Sequence, residues 1–384
     1  MYKNMGYYEI CSKYKNFEWE QIFGAISEDD VEKAIASEDV GVKGFMALLS
    51  PAAQTLLEKA ARRSHEITLR NFGRTIQLYT PMYLSNYCDN SCVYCGFNTN
   101  NKIERRALTL KEVREEAGSI ASTGLKTILI LTGESRQMSP ISYIKDCVRV
   151  LKEYFSSISI EIYPLTETEY SLLVSTGVDG LTIYQEVYEE DIYNRMHPSG
   201  PKSSYRFRLD APERGAESGM RSVNIGALFG LGGWRKEAFL LGLHAKYLQD
   251  KFHDTEIGVS IPRIRRQALY HVGTGQAGGF KAPYAVSDKN IVQIIVSLRL
   301  FLPRIGITVS TREDASFRES LVPLGVTKMS AGSTTRVGGR IVAREEREGA
   351  EQFEILDKRS VEEIKRMLES KDYQPVLKDW TCLR

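Results

Sequence analysis

From residue 75 onward, short β-branched segments alternate with amphipathic segments whose apolar residues have helical spacing. The segments predicted to be strands are residues 76–84, 127–132, 158–163, 180–185, 223–229, 256–261, 307–310 and 326–330. A helical pattern or a long insertion follows each one, as is typical of parallel sheets whose strands are connected by helices. Eight such units predict an α/β protein with a (βα)8 TIM-type barrel. An open doubly wound sheet is the alternative, because alternation alone does not require the sheet to close.

Segments of different character flank this region. The predicted domains are an N-terminal helical extension at residues 1–73, the barrel at 74–342 and a C-terminal helix and tail at 343–384. In the N-terminal extension, residues 30–36 and 45–65 have the helical spacing of apolar residues. Helix starts are marked by a hydroxyl residue three positions before a glutamate, as at Thr109 and Thr166. There the two side chains can each bond the other's free amide.

Composition and charge exclude several classes of protein. The chain has 384 residues and a formal net charge of +2, without the basic field that a nucleic-acid binder presents. Its longest apolar runs are strand-sized, and its first residues lack the apolar core of a secretion signal. Six cysteines in this length do not suggest a disulfide scaffold. We therefore expect a cytoplasmic protein that binds neither nucleic acid nor membrane.

Three cysteines follow the first predicted strand: Cys88, Cys92 and Cys95, with the spacing C-x3-C-x2-C. The Asp, Asn, Ser and Gly residues beside them favour a loop, which can wrap three thiolates around one cluster. A [4Fe–4S] cluster normally takes four thiolates, so three would leave one iron open for a ligand from outside the protein. The alternatives are a zinc knuckle or three incidental thiols, but zinc requires a fourth Cys or His, which the local sequence lacks. Ordinary free thiols are expected at Cys11, Cys147 and Cys382.

In (βα)8 barrels the active site lies at the carboxyl ends of the strands, where this sequence has several charged residues. Glu161 alternates with the apolar residues of the third strand, so its carboxylate is expected to point into the barrel. It then needs a partner, which would be ribose hydroxyls or a structural arginine. Arg312 follows the seventh strand and Ser330 ends the eighth, a combination that suits an amino-acid carboxylate. A surface arginine is the alternative.

The cysteine spacing, with the aromatic Tyr94 before the last cysteine, resembles that of the radical S-adenosylmethionine (SAM) superfamily. The resemblance implies that the open iron is chelated by the amino and carboxylate groups of SAM. An electron from the cluster then cleaves SAM to give a 5′-deoxyadenosyl radical. Gly133-Glu134 resembles the segment that meets the SAM amino group, and Arg208 is implied for its carboxylate, whereas Arg206 is expected to be solvated. The implied cofactor-binding residues are Tyr94, Gly133, Glu134, Glu161, Glu186 and Arg208.

Over almost the whole chain the sequence also resembles the ThiH family, the tyrosine lyases or 2-iminoacetate synthases of thiamin biosynthesis. The matching segments are MALLSPAA (46–53), YLSN (83–86), CGF (95–97), YQE (184–186), IPR (261–263), STRE (310–313) and KDW (378–380). The family implies cleavage of L-tyrosine between Cα and Cβ, giving 2-iminoacetate (dehydroglycine) and p-cresol, with Arg312 and Ser330 at the substrate. The implied partners are a reductant such as flavodoxin or ferredoxin, and thiazole synthase.

Two related families and one unrelated class are the alternatives. HydG-like tyrosine lyases carry a C-terminal extension with more cysteines, whereas this sequence has only Cys382 near its end. NosL-like tryptophan lyases differ in the side-chain pocket, and the segment 266–271 departs from the ThiH pattern close to that pocket. A non-catalytic Fe–S protein is disfavoured, because Glu134 and Arg208 accompany the three cysteines.

Overall fold

The structure, a computed structural model, describes residues 5–264, 280–341 and 351–378. Eight parallel strands form a closed barrel: β1 (Thr75–Ser85), β2 (Thr127–Thr132), β3 (Ser157–Glu161), β4 (Gly180–Glu186), β5 (Ser222–Ala227), β6 (Glu256–Ser260), β7 (Gly306–Val309) and β8 (Lys328–Ser330). Strand β1 pairs with β2 on one side and with β8 on the other. The barrel prediction is therefore confirmed, and the doubly wound alternative is wrong.

Helices precede, connect and follow the strands. They are α1 (Tyr7–Ser12), α2 (Trp19–Gly24), α3 (Glu28–Ala36), α4 (Val42–Leu49), α5 (Leu57–Phe72), α6 (Leu110–Ala121), α7 (Ile141–Leu151), α8 (Glu167–Thr176), α9 (Glu190–Met196), α10 (Tyr205–Leu209), α11 (Ala211–Glu217), α12 (Trp234–Lys251), α13 (Asp288–Phe301), α14 (Ala315–Leu321) and α15 (Val361–Glu369). None of the helices in the described part of the chain has the length and apolarity needed to cross a membrane.

Local sequence signals locate most element boundaries. Each predicted strand lies within two residues of the observed one at both ends. The predicted caps are also present. The hydroxyl groups of Thr109 and Thr166 accept hydrogen bonds from the amides of Glu112 and Glu169, and the carboxylates of these glutamates accept from the amides of the two threonines. These signals depend on neighbours in sequence, so they do not need the tertiary fold.

Two local predictions are wrong or incomplete. The helical segment predicted at 45–65 is two helices, α4 and α5, because Pro51 has no amide hydrogen with which to continue a helix. A ninth strand, β9 (Gln374–Val376), pairs with the start of β1 and was not predicted. Its central Pro375 removes a donor and makes the segment unlike a strand in sequence.

The N-terminal helices pack against the outside of the barrel and share its core. The ring of Phe45 stacks on Phe301 with centroids 4.2 Å apart and lies 5.9 Å from the ring of Phe239. Gln293 on α13 donates hydrogen bonds to the carbonyls of Leu48 and Ser50 at the end of α4. The N-terminal helices therefore cover α12 and α13. They do not cover the carboxyl end of the barrel, where loops follow the strands.

Candidate active site

The three motif cysteines lie in the loop that follows β1, at the carboxyl end of the barrel. Cys92 is buried, and Cys88 and Cys95 are partly buried. Burial raises the pKa of all three thiols, that of Cys95 to about 11. Such thiols stay protonated until a cation binds them, and a coordinated metal removes the proton.

The placement of the thiols fits a cluster better than a single ion. Cys88, Cys92 and Cys95 line one cavity of about 840 Å³, including its part open to solvent. Within the described ranges no group of three or more His, Cys, Asp or Glu side chains is placed to hold one metal ion, as a zinc knuckle would require. In a cubane each thiolate binds its own iron, so the three sulfurs can lie farther apart than the ligands of a single ion.

Opposite charges alternate along the wall of this cavity. Arg208 Nη1 lies 2.7 Å from Glu134 Oε1, and Lys202 Nζ lies 2.7 Å from Glu186 Oε1. Arg208 Nη2 lies 3.9 Å from the same oxygen of Glu186. Burial alone would raise the pKa of Glu186, but Lys202 and Arg208 hold it below its ordinary value. A wall of paired, buried charges suits a zwitterionic ligand, whose ammonium and carboxylate groups can join the same pattern.

Glu186 occupies a strained position at the end of β4. Its φ is +69°, a conformation that non-glycine residues seldom adopt, and the β4–β5 register shifts between Tyr184 and Glu186. Such irregularities re-aim side chains at the rims of barrels. The strain therefore coincides with a carboxylate that faces the cavity.

A glycine allows the end of β2 to approach the cysteine loop. A Cβ atom on Gly133 would lie 2.2 Å from the carbonyl oxygen of Tyr87 and 3.1 Å from Cys88 Cβ. No other residue fits this position without moving the backbone. The contact brings Glu134, the next residue, beside the cysteine loop, where its carbonyl accepts a hydrogen bond from Asp89.

Two polar residues of the site were not predicted from the sequence. Asn90 is buried within the cysteine loop; its Nδ2 donates to Glu134 Oε2 at 3.0 Å and lies 3.7 Å from Cys88 Sγ. Its Oδ1 accepts from the amide of Lys202 at 2.8 Å. Lys202 lies in a 3-10 turn (Pro201–Ser203) rather than after a strand, so the strand-end rule missed it. For Asn90, its position between Cys88 and Cys92 is the feature of the sequence that could have identified it as a site residue.

The aromatic residue of the motif is held by a histidine that sequence reasoning also missed. Tyr94 Oη lies 2.7 Å from His197 Nε2, and His197 Nδ1 lies 2.8 Å from the carbonyl oxygen of Tyr193. A carbonyl only accepts, so Nδ1 carries the hydrogen and Nε2 accepts from the tyrosine hydroxyl. Burial lowers the pKa of His197 to about 3, which keeps the ring neutral. Tyr94 is thereby fixed in orientation at the cavity wall.

A second cavity, of about 560 Å³, continues from the first into the barrel. Glu161, Tyr184 and Arg312 line both. As predicted, Glu161 faces the interior; burial and then Glu186 raise its pKa to about 7, against the opposing charge of Arg312. Among the described residues no arginine forms an ion pair with Glu161, although the charges of Arg312 and Arg208 both act to lower its pKa.

Arg312 and Ser330 both line this second cavity. The amide of Thr311 donates to Ser330 Oγ at 3.1 Å, which ties the ends of β7 and β8 together. The Arg312 guanidinium carbon lies 3.4 Å from the centroid of the Phe353 ring. Across residues 5–264, 280–341 and 351–378, Arg312 makes no ion pair. A cavity with such a guanidinium at its wall suits a ligand that carries a carboxylate.

Residues outside the site also agree with the sequence analysis where the structure describes them. Arg206 is exposed and pairs with Glu9 at 2.8 Å, and Cys147 is buried in α7. The segment 266–271 and Cys382 lie outside the described residues, as do Asp379 and Trp380 of the KDW match.

Comparisons with known proteins agree with this geometry. Residues 82–240 match the Radical SAM superfamily, and residues 260–374 match the Biotin and Thiamin Synthesis associated domain. The chain is 35% identical to the 2-iminoacetate synthase of Escherichia coli (strain K12) over 97% of this chain and 96% of that protein. It is 34% identical to the enzyme of the same description from Salmonella typhimurium over the same shares. Among solved structures, HydG, a maturase of the [FeFe]-hydrogenase, aligns with a TM-score of 0.82 and 31% identity, covering 97% of this chain and 79% of HydG.

Proposed function

Since the chain belongs to the 2-iminoacetate synthase family of radical SAM enzymes and is a carbon–carbon lyase, we propose that it cleaves L-tyrosine between Cα and Cβ. The products are 2-iminoacetate and p-cresol, the former for thiamin thiazole synthesis. The observation that carries the proposal is the second cavity, which opens into the cysteine cavity and has at its wall a guanidinium without an ion-pair partner among the described residues.

The first cavity is the proposed cofactor site. Cys88, Cys92 and Cys95 would hold a [4Fe–4S] cluster, and SAM would bind at the iron that has no cysteine ligand. When bound, the cluster supplies the electron that converts SAM into methionine and a 5′-deoxyadenosyl radical. The electron donor is a reductant such as flavodoxin or ferredoxin.

Side chains that line the first cavity position SAM. Glu134, brought to the cysteine loop by Gly133, accepts from the SAM amino group, and Arg208 donates to its carboxylate. Glu161 and Glu186 offer oxygens for the ribose hydroxyls, and Tyr94 provides an aromatic wall fixed by His197. The support for these assignments is that the side chains of Tyr94, Glu134, Glu161, Glu186 and Arg208 all line the cysteine cavity.

On the substrate side, Arg312 holds the carboxylate of tyrosine and Ser330 lies beside it. The two cavities share Glu161, Tyr184 and Arg312 as lining residues, so a substrate in the second cavity would lie beside the cofactor in the first. We place the enzyme in the cytoplasm and expect it to pass 2-iminoacetate to thiazole synthase.

Product analysis tests the proposed function. The anaerobic holoenzyme is incubated with SAM, a reductant and either L-tyrosine or L-tryptophan, and the mixtures are separated by chromatography. We expect p-cresol and glyoxylate, the hydrolysis product of 2-iminoacetate, from tyrosine. Faster formation of 3-methylindole or an indole carboxylate from tryptophan would refute the tyrosine assignment and leave the radical SAM chemistry intact.

Replacement of Arg312 by lysine tests the substrate site. Lysine keeps the charge but loses the two-pronged contact with a carboxylate, so we expect kcat/KM for tyrosine to fall about 10- to 100-fold. SAM binding and slow SAM cleavage without product should persist. The matched control is Arg206→Lys on the exposed face of α10, which should leave kcat/KM unchanged. If Arg312→Lys abolishes SAM binding, Arg312 belongs to the cofactor site.

A further inference from the structure

A segment near the C-terminus lies across the carboxyl end of the barrel. We call residues 351–357 the C-terminal strap. At one end the amide of Gly96, the residue after Cys95, donates to the carbonyl of Gln352 at 3.2 Å. At the other end the amides of Leu356 and Asp357 donate to the carbonyl of Thr311 at 3.0 and 3.2 Å. The strap thus connects the cysteine loop to the residue that precedes Arg312.

The strap is anchored in the core by a buried ion pair. Arg318 and Asp357 have no exposed side-chain surface, and they are in ion-pair contact. Arg359 Nη2 lies 2.7 Å from the same carboxylate. The two arginines stabilise the buried charge of Asp357 and lower its pKa against the effect of burial. The anchored end therefore has one defined position.

Between its ends, the strap is fixed by side chains that line the second cavity. Tyr83 Oη donates to Gln352 Oε1 at 2.6 Å, and Thr335 Oγ1 donates to the carbonyl of Phe353 at 2.9 Å. Gln352 and Phe353 line both cavities. A Cβ atom on Gly96 would lie 2.2 Å from the carbonyl oxygen of Glu351, so this glycine permits the strap to pass close to the cysteine loop.

The ring of Phe353 is the strap's contact with Arg312. The guanidinium carbon lies 3.4 Å from the ring centroid, so the cation rests on the aromatic face. Stacking on a ring restricts rotation about the long arginine side chain and leaves the N–H groups at its edge free to donate. A carboxylate that binds in the plane of the guanidinium would meet both donors already aligned.

We propose that Phe353 is a positioning residue for substrate: its ring holds the Arg312 guanidinium in the orientation that receives the amino-acid carboxylate. The inference rests on the proposed function for the identity of the substrate. Phe353 lies 41 residues beyond Arg312 in sequence, and it belongs neither to a strand end nor to the cysteine motif.

The experiment compares Phe353→Leu with Phe353→Tyr in the holoenzyme. Leucine fills much of the volume but has no π face, so we expect the KM for tyrosine to rise about tenfold while the SAM dissociation constant changes less than about twofold. Tyrosine restores the π face and should return KM to within about twofold of the wild type. The preference for L-tyrosine over tyramine, which lacks the carboxylate, should shrink in Phe353→Leu by the same factor.

Phe72→Leu is the matched control, because Arg299 stacks on Phe72 at 4.6 Å at the opposite end of the barrel. It loses an equivalent contact, and KM should not change. The inference is overturned if Phe353→Leu leaves KM unchanged, or if KM and the SAM dissociation constant rise together in both Phe353 variants. If the wild type makes no p-cresol, the proposed function fails, and the same comparison is made with the aromatic amino acid that it does convert.

Discussion

Cys92→Ala is expected to lose both the iron–sulfur cluster and reductive cleavage of SAM. Cys92 is the buried member of the three cysteines, and its removal would leave two thiolates for a cubane that already has an open iron. The anaerobically purified wild type should contain about four iron and four sulfide per chain. Iron and sulfide analysis, electron paramagnetic resonance of the reduced protein, and 5′-deoxyadenosine release measure the loss.

The control for this variant is Cys147→Ala. Cys147 is also buried but lies in α7, away from the cavity, where it acts as a small apolar residue. This variant should keep a full complement of iron and normal SAM cleavage. A Cys92→Ala protein that retained a complete cluster responsive to SAM would show that the three-cysteine assignment is wrong.

The second large effect concerns the phenol hydroxyl of the substrate. We expect kcat/KM for L-phenylalanine to be lower than that for L-tyrosine by on the order of 10⁴-fold. A site built to hydrogen-bond a hydroxyl leaves its own buried polar group unpaired when the analogue lacks it, which is costly. Tyr79, Ser260 and Thr308 are residues with a hydroxyl group that line the second cavity.

The measurement compares p-cresol from tyrosine with toluene from phenylalanine at equal enzyme and SAM. Uncoupled 5′-deoxyadenosine release with each amino acid serves as the control, since it shows that the radical machinery is intact in both assays. Phenylalanine turnover within about tenfold of tyrosine would mean that the pocket does not recognise the hydroxyl by a buried hydrogen bond.

The strands and helices of the barrel follow from patterns that act over short stretches of sequence. Periods of two and of 3.6 residues separate strands from helices, and hydroxyl–glutamate pairs such as Thr109 and Glu112 mark helix starts. These signals need only neighbouring residues. They fail at two prolines, Pro51 between the N-terminal helices and Pro375 in β9, because proline has no amide hydrogen to donate in a helix or a strand.

Part of the site is also predictable, because all parallel strands in a barrel end on the same side. Combined with the cysteine spacing, that rule predicts from the sequence that Glu134, Glu161, Glu186 and Arg312 share one region. Their placement in two contiguous cavities agrees with this expectation.

What the tertiary structure alone decided is which residues away from strand ends reach the site. Lys202 bonds Asn90 across 112 positions, and His197 bonds Tyr94 across 103 positions. Phe353 arrives from a strap held by a buried ion pair between residues 39 positions apart, Arg318 and Asp357. No local pattern encodes such meetings, since they depend on how loops pack after the barrel closes. The sequence by itself determined the strands, their ends and the cysteine motif, because short-range periodicity and spacing are enough to specify them. Closure of the sheet into a barrel was decided by the tertiary structure, in which β1 pairs with β8.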